Sequence, residues 1–268
     1  MRYHDQHVHT NFSSDSKEIM ENYIKKAASL SLEYVAITDH ADYMAGWTKK
    51  DELFSCPDYF AEIRRLQSLY PKVKILAGIE MGYRSEYIEK INELLSGNAF
   101  DLIVLSVHEM ADLDYFYKEP YEALGIEVVV NKYFDQVLEG LTTIKHYDIL
   151  GHIDYCFRSL FRHYGKIFPI EPYRPILEKI FKKLIELDKS WEINTSVYET
   201  TQSSYYIENL VNLYLKLGGK NLVVASDCHD VSRFLSSFPQ IFKLLQSLGV
   251  NKLCFYVNRK KEYYKLEN

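Results

Sequence analysis

Short apolar runs alternate along the chain with longer stretches in which apolar residues recur every three to four positions. This is the pattern of strands alternating with amphipathic helices. The runs predict strands at 3–9, 34–38, 73–80, 101–107, 148–153, 191–194 and 221–226, and a last short one at 253–257. The periodic stretches predict helices at 16–31, 57–70, 86–95, 128–146, 173–187, 204–217 and 232–248. Pro57 suits the first turn of its helix. A long connection spans 109–125, Arg158, Arg162 and His163 fall in a predicted loop, and Arg259-Lys260-Lys261 reads as a solvated end. Repeated βα units over one domain, 1–268, predict an α/β parallel barrel, with a doubly wound open sheet as the alternative.

Composition narrows the class. The chain has 268 residues, 47% of them hydrophobic, which is enough for a filled core. A net charge of −5 and no basic footprint argue against a nucleic-acid partner. Cys56, Cys156, Cys228 and Cys254 show no C-x-x-C spacing and read as reduced thiols. No apolar run approaches a membrane span, and the start Met1-Arg2-Tyr3-His4-Asp5 is unlike a signal peptide. A soluble cytoplasmic protein without a membrane partner is expected. No sequence feature sets an oligomeric state.

Candidate chemistry collects at the predicted strand ends. They carry His7-Val8-His9, Thr38-Asp39-His40, Glu80, His108, His152-Ile153-Asp154, Asn194 and Asp227-Cys228-His229. In a parallel barrel these ends share one face, where active sites are built. Residues two apart on a strand project to the same side, so His7 and His9 offer two imidazoles together. Buried imidazoles need partners, and a packed core would not gather so many. A multinuclear divalent-metal site, with Glu80 placed to bridge, is the reading.

The motifs His7-Val8-His9-Thr10, Ile37-Thr38-Asp39-His40, Gly78-Ile79-Glu80, Ser106-Val107-His108, Gly151-His152 and Ser226-Asp227-Cys228-His229 run in order through almost the whole chain. This series resembles the polymerase and histidinol phosphatase (PHP) family. The resemblance implies a distorted (β/α)7 TIM-like barrel with three divalent metal ions. It places His7, His9, Glu80 and Asp227 on the first metal. Glu80, His108 and His152 would hold the second, and Asp15, His40 and His229 the third. Asp15 stands where many members have histidine, which resembles the histidinol phosphatase branch. Cys228 replaces the family's usual alanine and is expected to point away from the site. Imidazole and carboxylate ligands suit zinc, manganese and iron alike.

Phosphate ester hydrolysis is the expected chemistry, by a hydroxide bridging two metals about 3.5–4 Å apart. Glu80, Asp227 and Arg158 form the expected catalytic set. The planar fork of Arg158 suits a phosphate clamp, with Arg162 and Arg84 as weaker candidates. Ser13 and Ser14, beside Asp15, could donate hydrogen bonds to phosphate. The segment after His40 carries Asp42, Tyr43, Met44 and Trp47, and the one after His108 carries Tyr115, Phe116, Tyr117 and Tyr121. An acid such as Asp42 would pair with a substrate amine, and a ring such as Tyr117 would cover a heteroaromatic group. The resemblance supplies the substrate, L-histidinol phosphate in histidine biosynthesis. The alternatives are a nucleoside phosphate phosphoesterase or nuclease of the same fold, or a metal-binding protein without catalysis.

Overall fold

The structure, a computed structural model, describes residues 3–45, 50–110 and 113–266. Its first strands are β1 (Tyr34–Ile37), β2 (His40–Ala45), β3 (Lys50–Glu52), β4 (Lys74–Gly82) and β5 (Leu102–Ser106). A small ribbon follows, β6 (Glu109–Met110) and β7 (Leu113–Asp114). Then come β8 (Ile149–Leu150), β9 (Ser190–Asn194), β10 (Leu222–Ala225), β11 (Lys252–Val257) and β12 (Lys260–Lys265). The main sheet runs β10-β9-β8-β5-β4, and β4 then pairs with both β1 and β2. All these pairings are parallel. β1, β4, β5, β8 and β10 are nearly continuous in apolar residues, as expected where both faces are covered.

The segment 5–9 joins the two edges of this sheet. On one side the Ala36 and Thr38 amides donate to Asp5 and Val8 carbonyls, at 3.3 and 2.9 Å. On the other, Asp227 N–H donates to His7 O at 2.8 Å and His9 N–H to Cys228 O at 2.9 Å. The result is the expected distorted α/β barrel. The segment itself is not the regular strand predicted at 3–9, because side chains take part of its bonding. Thr38 Oγ1 accepts Val8 N–H at 3.0 Å, and Asp5 Oδ1 accepts Ser226 N–H at 3.0 Å.

Ala36, Leu76, Leu102, Val104, Ile149 and Val223 form one interior cluster with Cys254 and Tyr256 of β11. The remaining apolar strand positions pack against the helices, for example Tyr59, Ile63 and Leu66 of the helix Cys56–Leu69. That helix starts at Ser55, whose hydroxyl accepts Asp58 N–H, with Pro57 in its first turn.

Three sequence expectations are corrected. Arg158, Arg162 and His163 lie on a helix, Tyr155–Tyr164, not in a loop. Its apolar face is Cys156, Phe157 and Leu160, and Gly165 ends it at φ 65°. The helix expected at 232–248 begins only at Phe238, because Leu235 and Ser237 take positive φ. The basic end is not a free tail. Asn258 and Arg259, both at positive φ, make the two-residue turn of an antiparallel hairpin.

Arg259 Nε donates to Asp148 Oδ2 at 2.5 Å, and the same oxygen accepts Ile103 N–H at 2.9 Å. Asp148 is buried while Arg259 is partly exposed. Arg259→Ala should therefore lower stability by about 1–3 kcal/mol, the cost of a buried acceptor losing a charged donor. Thermal melting checks this, with activity per folded molecule retained. An unchanged Tm would return this segment to the role of a solvated end.

Candidate metal centre

On β4 the barrel-facing positions change from apolar to polar. Leu76 and Glu80 are four apart on β4 and so share a side. Leu76 lies in the interior cluster, and Glu80 sits above it, fully buried. Between them is Gly78. A Cβ there would meet Thr38 Cγ2 at 2.5 Å and Ile37 O at 2.8 Å, so glycine lets β1 and β4 approach.

Glu80 is the centre of the site. Its Oε2 lies 3.2 Å from His7 Nε2, 3.5 Å from His9 Nε2 and 2.7 Å from His40 Nδ1. Its Oε1 lies 2.9 Å from His152 Nε2 and 3.2 Å from His108 Nε2. Asp227 Oδ1 is 3.1 Å from His9 Nε2 and 3.8 Å from His7 Nε2. Asp15 Oδ2 is 3.0 Å from His229 Nε2 and 3.6 Å from His40 Nε2, nearer the mouth. All the expected ligands therefore converge.

Donor atoms gather within 4.8 Å of one another in three sets: His7, His9 and Glu80; His40, Glu80 and His108; His9, His40 and His229. His40 straddles two of these sets, with Nδ1 towards Glu80 and Nε2 towards Asp15. The sets fit cations. His7 Nε2, His9 Nε2, His40 Nδ1 and Glu80 Oε2 are buried without hydrogen-bond partners. A ring nitrogen facing a carboxylate oxygen needs a proton or a cation between them. Protonating every ring would pack like charges into a dry space.

Without an ion the acids hold protons on several rings: against burial, His7 is raised well above the usual imidazole range by Glu192 and Glu80, and His108 by Asp42 and Glu80, protons that a bound cation would displace. Burial would raise the Glu80 carboxyl, but His7, His40 and His108 hold it well below the usual range. Burial would lower His40, yet Glu80 and Asp15 hold it up at about 9. His9 is pushed well down by burial and by its neighbours His229 and His40, which favours the neutral ligating form.

The site opens into a cavity of about 470 Å³ lined by Ser14, Asp42, Tyr117, Arg158 and Arg162. Arg158 Nη1 donates to Asp227 Oδ2 at 3.0 Å, while its buried Nε has no partner. Asp42 Oδ1 is 3.1 Å from His108 Nδ1, so it also orients that ring. Ser14 Oγ donates to Glu52 at the rim, and Tyr117 is half-exposed there. Arg162 lies over the Phe116 ring at 4.9 Å. Arg84 does not line this cavity; Glu109 binds it at 3.0 Å and Met44 O accepts from it. Tyr43, Tyr115 and Tyr121 are buried in the core, and Trp47 lies outside the described residues. Cys228 points away, with Sγ 3.6 Å from the Tyr23 hydroxyl.

Two buried acids support the ligands: Asp39, which the sequence placed at a strand end without a role, and Glu192, which the sequence reading missed. Asp39 accepts Thr10 N–H at 2.5 Å and Ser13 Oγ–H at 2.7 Å, and Ser13 Oγ lies 3.1 Å from His9 Nδ1. Glu192 lies 2.7 Å from His7 Nδ1. Its signal was available: a charged residue inside an apolar strand, two before Asn194 and so on the same side.

The family model for the PHP domain matches residues 5–196. The chain belongs to the PHP domain family. Among its PHP relatives is the histidinol-phosphatase of Lactococcus lactis subsp. lactis, 29% identical over 262 residues, covering 96% of this chain and 95% of the relative. A probable histidinol-phosphatase of Clostridium acetobutylicum is 28% identical over 259 residues, covering 97% and 98%. The crystal structure of the Lactococcus lactis histidinol phosphate phosphatase, complexed with zinc, L-histidinol and phosphate, is also similar. It superposes with a TM-score of 0.87 at 27% identity, covering 97% of this chain and 99% of that one. The similarity is to the histidinol-phosphatase branch of the PHP family.

Proposed function

We propose that this PHP protein is a metal-dependent phosphomonoesterase that hydrolyses L-histidinol phosphate to L-histidinol and phosphate in histidine biosynthesis, working as one domain over 1–268. The observation that carries this reading is the cluster of histidines around buried Glu80, in a fold shared with an enzyme solved with zinc, L-histidinol and phosphate. Three divalent ions are assigned, zinc, manganese or iron. His7, His9, Glu80 and Asp227 would hold the first, and Glu80, His108 and His152 the second. Asp15, His40 and His229 would hold the third. Ions there supply Lewis acidity, activating water and neutralising phosphoryl charge.

The chain's own residues bind and orient. Asp227 holds Arg158 in place, leaving the Nε side of its fork for phosphate oxygens. Asp42 and Tyr117 line the cavity; Asp42 would pair with the substrate amine, and Tyr117 would cover the imidazole at the mouth. Ser14 marks the rim on the Asp15 side. Among the described residues no helix is long and apolar enough to cross a membrane, and a cytoplasmic location is proposed with a small-molecule partner.

Asp15→Asn should selectively weaken the third set, lowering the metal content by one ion per chain. Elemental analysis after dialysis checks this, and full content would remove Asp15 from the ligands. The functional proposal is tested by phosphate release from L-histidinol phosphate beside a nucleoside monophosphate, a nucleoside 3′,5′-bisphosphate and single-stranded DNA. A strong preference for L-histidinol phosphate is expected. Preference for a nucleotide would overturn the substrate.

A further inference from the structure

We propose that Glu192 is a positioning residue that fixes the tautomer and aim of His7 and thereby controls retention of the ion that His7 holds. The proposal rests on the metal-centre reading above. Glu192 is mid-strand on β9 and is 1% exposed. A buried carboxylate there requires donors on both oxygens. Oε1 accepts Asn194 Nδ2–H at 2.9 Å and the His152 backbone N–H at 3.3 Å. Oε2 lies 2.7 Å from His7 Nδ1.

The two bonds to Oε1 have fixed directions. The His152 amide can only donate. The Asn194 amide cannot be reversed, because its Oδ1 accepts Ser196 N–H at 2.9 Å. An ionised Glu192 then accepts on both oxygens, and His7 carries a proton on Nδ1. That leaves a lone pair on His7 Nε2, the partnerless nitrogen 3.2 Å from Glu80 Oε2 and 3.8 Å from Asp227 Oδ1. A carboxylate on the far nitrogen of a ligating imidazole fixes the ring and raises its basicity. The same carboxylate also ties in Asp227, since Asn194 Nδ2 reaches Asp227 Oδ2 at 3.1 Å.

Glu192→Gln keeps the shape and breaks this logic. With its oxygen towards Asn194 and His152, its NH2 faces His7 Nδ1, and the proton must move to the nitrogen aimed at the metal. In the other orientation the NH2 meets two donors. Chelator titration of the zinc-loaded variant should release one ion at an about 10- to 100-fold lower chelator concentration than in the wild type. Excess zinc should then restore activity. A release curve identical to the wild type would overturn the proposal, as would activity loss without any change in metal retention.

A variant that fails to fold leaves a direct test on the wild type. Imidazole ¹⁵N shifts of the zinc-loaded protein should show His7, identified by its loss in His7→Gln, protonated at Nδ1. Protonation at Nε2 would overturn the proposal. Failure of the metal-centre reading looks different: the wild type itself would then retain no ion for the chelator to release.

Discussion

Glu80→Ala should reduce phosphatase activity by about 1,000-fold or more and empty much of the metal centre. Lewis-acid stabilisation is worth several kcal/mol, and each 1.4 kcal/mol is tenfold in rate. Among the described residues no other carboxylate lies against so many expected ligands. His7, His9, His40, His108 and His152 all face its two oxygens at 2.7 to 3.5 Å. Their positions depend on a counter-charge at the middle, so alanine removes a shared ligand and also leaves imidazoles facing one another. The check is kcat/KM for L-histidinol phosphate together with metal content in one preparation. Full activity with full metal content would refute Glu80 as a shared ligand.

The second large effect is expected at Arg158. Arg158→Ala should lower kcat/KM by about 100- to 1,000-fold, the range for losing one preorganised charged donor. Much of the loss should appear as a raised KM. Metal content should hold, because Asp227 keeps its bond from Asn194 Nδ2 at 3.1 Å. Arg158→Lys should recover only part, since an ammonium keeps the charge and loses the planar fork. An unchanged kcat/KM in Arg158→Ala would remove this residue from the clamp.

What the sequence made legible was what local pattern controls. Alternating apolar runs located most of the barrel strands, and residue type at their ends located the ligands. Contacts between distant segments were not legible. The stretch 3–9 is extended, but Thr38 Oγ1 takes the Val8 N–H, so regular pairing is interrupted. The position of Arg158 on a helix follows from Cys156, Phe157 and Leu160 packing into the core, and its cationic residues disguised that short apolar face. Arg259 looked like a solvated end because its partner, Asp148, lies 111 residues earlier in the chain. Glu192 was not legible because it lies inside the strand, one pleat below the ligand-bearing ends, and meets the far nitrogen of His7, 185 residues away in the chain.

The most direct test of the central claim is phosphate release from L-histidinol phosphate by one preparation whose metals are counted before chelation, after it, and after divalent ions are returned. The account predicts two to three ions per chain, loss of turnover with their removal, and recovery on reloading. Turnover that persists in metal-free protein, or a fully loaded protein that leaves L-histidinol phosphate intact, would contradict it.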